Sequence, residues 1–137
     1  MAGTIRIRLA KDAELDEINE LDSTLLPPKT WHGQDHDEIW VAIADGHIVG
    51  YASIRESELI PGWAYLSRAG VAPDWRGHGL QKRLIRVRLR WAKRRGLIAA
   101  YTYTVDNPAS ANSLIACGFR QFRPKEFQVW EWWKKDL

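Results

Sequence analysis

Between Trp63 and Val105 the chain reads as a strand, a long helix and a second strand, and the join between the first two carries two glycines. WAYLSRAGV (63–71) and IAAYTYTV (98–105) are the strands, and a helical pattern fills 80–95 between them. A helix set between strands in this way needs a sheet to cover, so the segment points to an α/β layer structure. The flanks agree. TIRIRL (4–9) alternates like a strand, and Asp12 is placed to cap a helix with Leu15, Ile18, Leu21 and Leu25 on one face, stopped by Pro27-Pro28. EIWVAIADGHIVGYASIRE (38–56) is two β runs joined at Asp45-Gly46, a hairpin signal because the tight turn needs positive φ. Asn107 can cap a short helix from Pro108 to about Cys117, with Gly118 ending it. FRQFRPKEFQVWEWW (119–133) supplies one or two more strands. The predicted order is β-α-β-β-β-α-β-α-β(β), an α/β sandwich with one mixed central sheet of about six or seven strands flanked by helices.

With 137 residues the chain fits one domain spanning 1–137. Nothing resembles a signal peptide, and no apolar run approaches the roughly 20 residues that span a bilayer. A single cysteine, Cys117, excludes an internal disulfide and fits a reducing compartment, so the expected location is cytoplasmic. The net charge of +3 hides an asymmetry: residues 1–60 carry 5 Lys/Arg against 12 Asp/Glu, and residues 61–137 carry 15 against 5. The basic half suits an anionic partner, although solubility alone also explains surface charge.

At 100° per residue, Leu80, Leu84, Val87 and Trp91 fall in one stripe of the long helix, with Ile85, Leu89 and Ala92 beside it. Lys82, Arg83, Arg86, Arg90, Lys93 and Arg94 occupy the opposite arc. Arg88 breaks the pattern by landing among the apolar residues, and is expected to snorkel out or pair with a carboxylate. The free N–H groups at this helix's start and the positive end of its dipole can hold an anion. Gly77 and Gly79 allow a phosphate to approach the backbone closely. The segment is neither GxxxxGK[ST] nor GxGxxG. A glycine turn with no ligand is the plain alternative.

Val71 followed by Arg76-Gly77-His78-Gly79-Leu80-Gln81 resembles the acetyl-CoA loop, [RQ]-x-x-G-x-[GA], of the GCN5-related N-acetyltransferases (GNATs). It matches at Arg76 and Gly79 and departs at Gln81. Asn107-Pro108-Ala109-Ser110 and Cys117-Gly118-Phe119 match the family's downstream N-x-x-[AS] and GF at the usual separation. The resemblance covers nearly the whole chain. It implies that Val71 and the loop Arg76, Gly77, His78, Gly79, Leu80 and Gln81 hold the pantetheine and diphosphate of acetyl-CoA, and that Asn107, with Ser110, contacts the pantetheine arm. It also implies direct attack by an acceptor amine on the thioester while both substrates are bound.

That chemistry needs a neutral amine, a donor for the developing oxyanion and a fate for the departing thiolate. An amine of pKa near 10 is mostly protonated at neutral pH, so a base or a water chain must take its proton. Glu56 and Glu58 are candidate bases, though a solvated loop charge is the commoner role for either. The family's frequent acid, a Tyr five residues before the Phe of GF, corresponds to Leu114 here; Ser110, Ser113 and Tyr103 offer hydroxyls instead. WHGQDHDE (31–38) is expected to form the lip of the acceptor pocket, with Trp31, Asp35 and Asp37 suiting a cationic amine. His32 and His36 could chelate a metal, but no metal site is expected. Of the tail, Trp130 and Trp132 fall on one strand face and Trp133 on the other. The expected partner is a small-molecule or peptide amine acceptor, and the protein is expected to be a monomer or homodimer; neither membrane nor nucleic acid is expected as a partner. Two alternatives stay open: a nucleic-acid-binding module using the basic 80–95 helix, and a CoA-binding GNAT fold without catalysis.

Overall fold

The hairpin forms where the turn chemistry puts it. In the computed structural model, which describes residues 4–26, 37–104, 107–124 and 131–137, Asp45 and Gly46 both have positive φ (52° and 77°). They join β2 (Glu38–Ala44) to β3 (His47–Glu56) as an antiparallel pair. β1 (Arg6–Leu9) lies outside β2, and β4 (Trp63–Val71) lies on the other side of β3. β5 (Ala99–Thr104) follows, then β7 (Glu131–Asp136) and β6 (Arg120–Phe122). The tail therefore contributes two strands, and the seven-stranded sheet runs β1-β2-β3-β4-β5-β7-β6. Every neighbouring pair is antiparallel except β4 with β5.

That exception shapes the molecule. β4 and β5 pair only at Trp63 with Ala99, Ala64 with Ala100 and Tyr65 with Tyr101. One further bond, from Thr102 Oγ1 to the Leu66 carbonyl at 2.8 Å, closes the paired stretch. Beyond it β4 keeps its ladder with β3 but leaves β5. A bulge marks the place: Ser53 of β3 faces both Ser67 and Arg68, between the regular pairs Ala52–Ala69 and Ile54–Leu66. Ser53 Oγ lies 2.7 Å from Ser67 Oγ and accepts the Arg68 N–H at 3.1 Å. An extra residue on one strand bends it and raises its twist, which turns β4 away from its parallel neighbour.

Side chains alternate across the sheet, so each face has its own core. α2 (Leu80–Arg94) buries Leu80, Leu84, Ile85, Leu89 and Ala92 against Ala52, Ile54, Ala64, Leu66 and Ala100. α3 (Pro108–Ala116) adds Leu114 to the same cluster. On the other face α1 (Leu15–Leu25) packs Ile18 against Ile39, Val41, Ile48 and Tyr51. The basic arc of α2, from Lys82 to Arg94, is exposed as expected.

Two expectations need correction. Asp12 does not cap α1: a short 3-10 turn, Asp12–Glu14, precedes it, and the Glu14 carboxylate reaches back to accept the Lys11 N–H at 2.8 Å. Arg88 does not snorkel out, and it meets no carboxylate among the described residues. It is 3% exposed and bonds two carbonyls, Leu84 O at 3.0 Å and Ser53 O at 3.1 Å. The bulge is the reason, because it presents the Ser53 carbonyl to the helix below. Trp132 and Trp133 do bury on opposite faces, Trp132 among Tyr101, Tyr103 and Phe122 and Trp133 in the α2-side cluster. Trp130 and Pro27-Pro28 lie outside the described residues.

Candidate active site

Where β4 and β5 separate, two cavities of about 530 and 500 Å3 open side by side and share Leu26, Ala69, Gln81, Asn107 and Ser110 as walls. Together they form one cleft. The first sits in the gap between the strands, walled by Leu66 and Thr102 and floored by Ile85 and Arg88 of α2. The second runs past Val71 and over the glycine turn at the start of α2.

The turn presents bare backbone. Gly77 and Gly79 have φ of +83° and +73°, the left-handed region that favours glycine, and a Cβ built on either meets nothing within 4 Å. Gly79 occupies the N-cap of α2 with no side-chain cap, and the first turn holds no acid. The N–H groups of Leu80, Gln81 and Lys82 have no intrahelical acceptor by geometry. Among the described residues none pairs with the N–H of Gly77, His78 or Gly79. The helix dipole adds positive potential at the same point. Arg76 fastens the turn to its strand, Nε donating to the Val71 carbonyl at 3.3 Å, and the His78 ring rests 5.7 Å from that of Trp75. Gln81 Oε1 is buried with no donor among the described residues, which leaves an acceptor waiting inside the cleft. Asn107 caps α3 by accepting the Ser110 N–H at 3.1 Å through Oδ1.

Two arginines line the gap between the strands, in opposite circumstances. Arg68, at the bulge, grips Asp22 of α1 through Nε at 2.7 Å and Nη2 at 2.8 Å. Tyr51 also donates its hydroxyl to that carboxylate. The Asp22 bond raises the Arg68 pKa above its ordinary value, and burial, then Asp22, push the Tyr51 phenol up. Among the described residues Arg88 bonds only two carbonyls, and burial lowers its pKa while leaving it a cation at neutral pH.

A strand pair that splays over the N-terminus of a basic helix, with a glycine turn between, is an arrangement shared with known proteins. The sequence matches the profile of the acetyltransferase (GNAT) family over residues 7–119. The chain belongs to the GNAT acetyltransferases. It is accordingly an acyl-CoA-dependent N-acyltransferase whose co-substrate is acetyl-CoA. Its fold is that of solved relatives. An acetyltransferase of Bacillus subtilis in complex with CoA superposes at TM-score 0.79 and 18% identity, covering 98% of this chain and 99% of that one. An IAA acetyltransferase of Bacillus cereus gives 0.78 at 18% identity, over 98% of this chain and 100% of that one. A Bacillus anthracis protein, assigned as a streptothricin acetyltransferase and solved with acetyl coenzyme A, gives 0.77 at 19% identity, over 100% and 99%. At such identities the likeness is one of fold. No protein of curated function matches the sequence.

The acetyltransferase brings some expected residues together and leaves others apart. Val71, Arg76, Gly77, Gly79, Leu80, Gln81, Asn107 and Ser110 all wall the cleft; His78 is exposed beside it. Tyr103 and Ser110 line the gap between the strands, and Leu114 closes it as a buried core residue with no hydroxyl to offer. Glu56 and Glu58 line neither cavity. Glu56 is exposed, faces Ala64 across the paired end of β4 and lies 3.5 Å from Arg95 Nε, beyond the far end of α2. Asp37 lies 3.5 Å from Arg55 Nη1. Trp31, Asp35, His32 and His36 fall outside the described residues. Among the described residues no three His, Cys, Asp or Glu converge as a metal site, and no helix is long and apolar enough to cross a membrane.

Two features escaped the sequence reading. One is the Asp22–Arg68–Tyr51 network. The other is an aromatic wall on the α1 side of the sheet, where Tyr65 stacks on Tyr101 at 5.2 Å and on Tyr103 at 6.5 Å, with Trp63 6.1 Å from Tyr101. Its signal was present as alternation, Trp-x-Tyr in β4 and Tyr-x-Tyr in β5.

Proposed function

We propose that the protein, as a single acetyltransferase domain, moves the acetyl group of acetyl-CoA to a primary amine of a small molecule or peptide by direct attack within a ternary complex. The observation that carries this is the pairing of unsatisfied groups along the cleft. Free main-chain N–H groups at 77–82 suit a diphosphate, and the orphaned Gln81 Oε1 suits an amide N–H of the pantetheine arm. The edge of β4 that leaves β5 offers main chain along which that arm can lie. The thioester then comes to the bulge, where main chain of β4 that no longer pairs with β5 can meet the developing oxyanion.

The aromatic wall supports an acceptor that is cationic when free, because ring faces attract an ammonium group. Arg55 already lies 5.3 Å from the Tyr65 ring centroid and Lys134 5.5 Å from that of Trp63. No carboxylate among the described residues lines the cleft, so the ammonium proton leaves through water, with the Tyr103 and Ser110 hydroxyls as relays.

A thiol-release assay with acetyl-CoA over a panel of amines tests the proposal, run beside Gly79→Trp. A non-glycine residue at φ +73° costs about 1–2 kcal/mol locally, and the indole covers the N–H groups of the turn. Loss of two charge-assisted bonds, at about 1.5–3 kcal/mol each, predicts a rise in the acetyl-CoA Kd on the order of 100-fold or more. Unchanged affinity in the variant would refute the placement of the diphosphate. Release of thiol with no amine in the panel would refute the transfer.

A further inference from the structure

Resting on that reading of the cleft, we propose that Arg88 is a catalytic residue that stabilises the departing thiolate of coenzyme A. The guanidinium is 3% exposed and floors the gap where β4 and β5 part. Its neighbour Arg68 is neutralised by Asp22 through two bonds; Arg88 faces no carboxylate among the described residues. Nε and Nη1 donate to the carbonyls of Leu84 and Ser53, and Nη2 has no acceptor among the described residues. Tethering a carbonyl at a bulge needs only a neutral donor, whereas a bare cation at this depth carries a desolvation penalty that a Gln would avoid. A buried cation with a spare donor is suited to negative charge that appears only during reaction, where a water-excluded site makes it most effective. The transfer creates such a charge. The amine nitrogen bonds to the acetyl carbon, the C–S bond breaks, the electron pair leaves on sulfur, and the surplus amine proton passes to water. Leu114, at the position from which the family's resemblance would draw an acid, is buried and apolar, so a fixed cation takes up the charge that no proton is supplied to quench.

The test compares the binding of CoA and of its S-methyl thioether, which cannot ionise, as pH is raised. Thiolate stabilisation lowers the bound thiol's pKa below that of the free thiol. CoA affinity then climbs relative to the thioether as pH passes the bound value, and levels off past the free one, with tenfold gained per unit of depression. Arg68 of β4, with Asp22 bound to it, and Tyr103 of β5 line the same gap as Arg88, and Cys117 at the end of α3 acts on it electrostatically; all of them are common to the two complexes, so the ratio isolates the sulfur. In wild type the affinity ratio is expected to rise at least tenfold, with thiolate absorbance appearing in step. In Arg88→Met it is expected to stay flat while the thioether binds as before. The kcat for thiol release falls ten- to a hundredfold with little change in KM for acetyl-CoA, and Tm does not fall; Arg88→Lys keeps part of the effect. A flat ratio in wild type, or an equal rise in Arg88→Met, overturns the proposal, and the wild-type and Lys arms decide it even if the Met variant does not fold. If wild type binds neither ligand, the reading of the cleft itself fails and this inference with it.

Discussion

β4 behaves as two strands joined at Leu66. From Trp63 to Tyr65 it pairs on both sides, its Ala64 and the Ala100 it faces in β5 are fully buried, and its carbonyls and N–H groups are taken up by ladders. From Ser67 to Val71 it keeps one neighbour, carries a bulge, and is held on its open side by charged and polar side chains, with Arg68 on Asp22 and Arg76 on the Val71 carbonyl. The first half is stabilised by apolar close packing, which is tolerant of everything except a change of volume. The second keeps main chain and side chains unsatisfied within reach of a ligand, and must be held open by interactions with no slack. The difference teaches that stability and binding are assigned to different lengths of the same strand, so substitutions in the two halves should separate them.

The largest effect is expected from removing the brace of the open half. Asp22→Ala removes the carboxylate that holds the Arg68 guanidinium, 13% exposed in its side chain, and breaking a buried pair from one side costs about 3–5 kcal/mol. Urea unfolding should show that loss, while the double variant Asp22→Leu, Arg68→Met recovers most of it because both charges go together. A loss below 1 kcal/mol in the single variant would mean that the bulge stands unaided. Next in size is Ala100→Leu in β5, opposite Ala64 of the closed half. Extra methylenes in a filled core cost about 1–3 kcal/mol, and because Ala100 walls neither cavity, the acetyl-CoA Kd should not move.

Gln81→Leu sharpens the comparison by changing both quantities with opposite signs. Burying an unpaired acceptor is unfavourable by about 1–3 kcal/mol, so the leucine variant should unfold at higher urea by roughly 1 kcal/mol. It should bind CoA about tenfold more weakly, since the ligand then loses its acceptor. A variant that lost stability along with affinity would show that Gln81 is already satisfied in the free protein.

Local chemistry was legible from the residues: the Asp45-Gly46 hairpin, the Asn107 cap and the glycine turn before α2 all depend on neighbours within a few positions. The opening of β4 from β5 was not, because it rests on a hydroxyl of β3, Ser53, meeting a bulge in another strand. Arg88 shows the boundary well. Its breach of the apolar arc was visible on a helical wheel, yet its partner is a main-chain carbonyl that only the assembled sheet exposes. The glutamates went astray for a related reason. Glu56 shares a face with Ile54, which buries in the α2-side core, and so stands over the last turn of that helix, while the end of β4 that opens is the other one.

The smallest effect concerns a brace outside both halves, at the entry to α1. Arg8 holds Glu14 through two bonds of 2.8 Å; these and the Lys11 N–H lower the Glu14 pKa to about 2. A carboxylate depressed in the folded state contributes stability that is complete above the unfolded pKa, near 4.3, and is lost as pH falls toward 2. The shift alone would suggest more than 2 kcal/mol, but the pair is open to water, with side chains 32% and 18% exposed, and screening reduces such pairs to about 0.5 kcal/mol. Glu14→Gln preserves an oxygen for the Lys11 N–H and removes only the charge. Urea unfolding should therefore place the variant about 0.5 kcal/mol below wild type at pH 7, with the two curves converging at pH 2. A difference that persisted at pH 2 would assign the effect to helix entry geometry instead of to the ion pair.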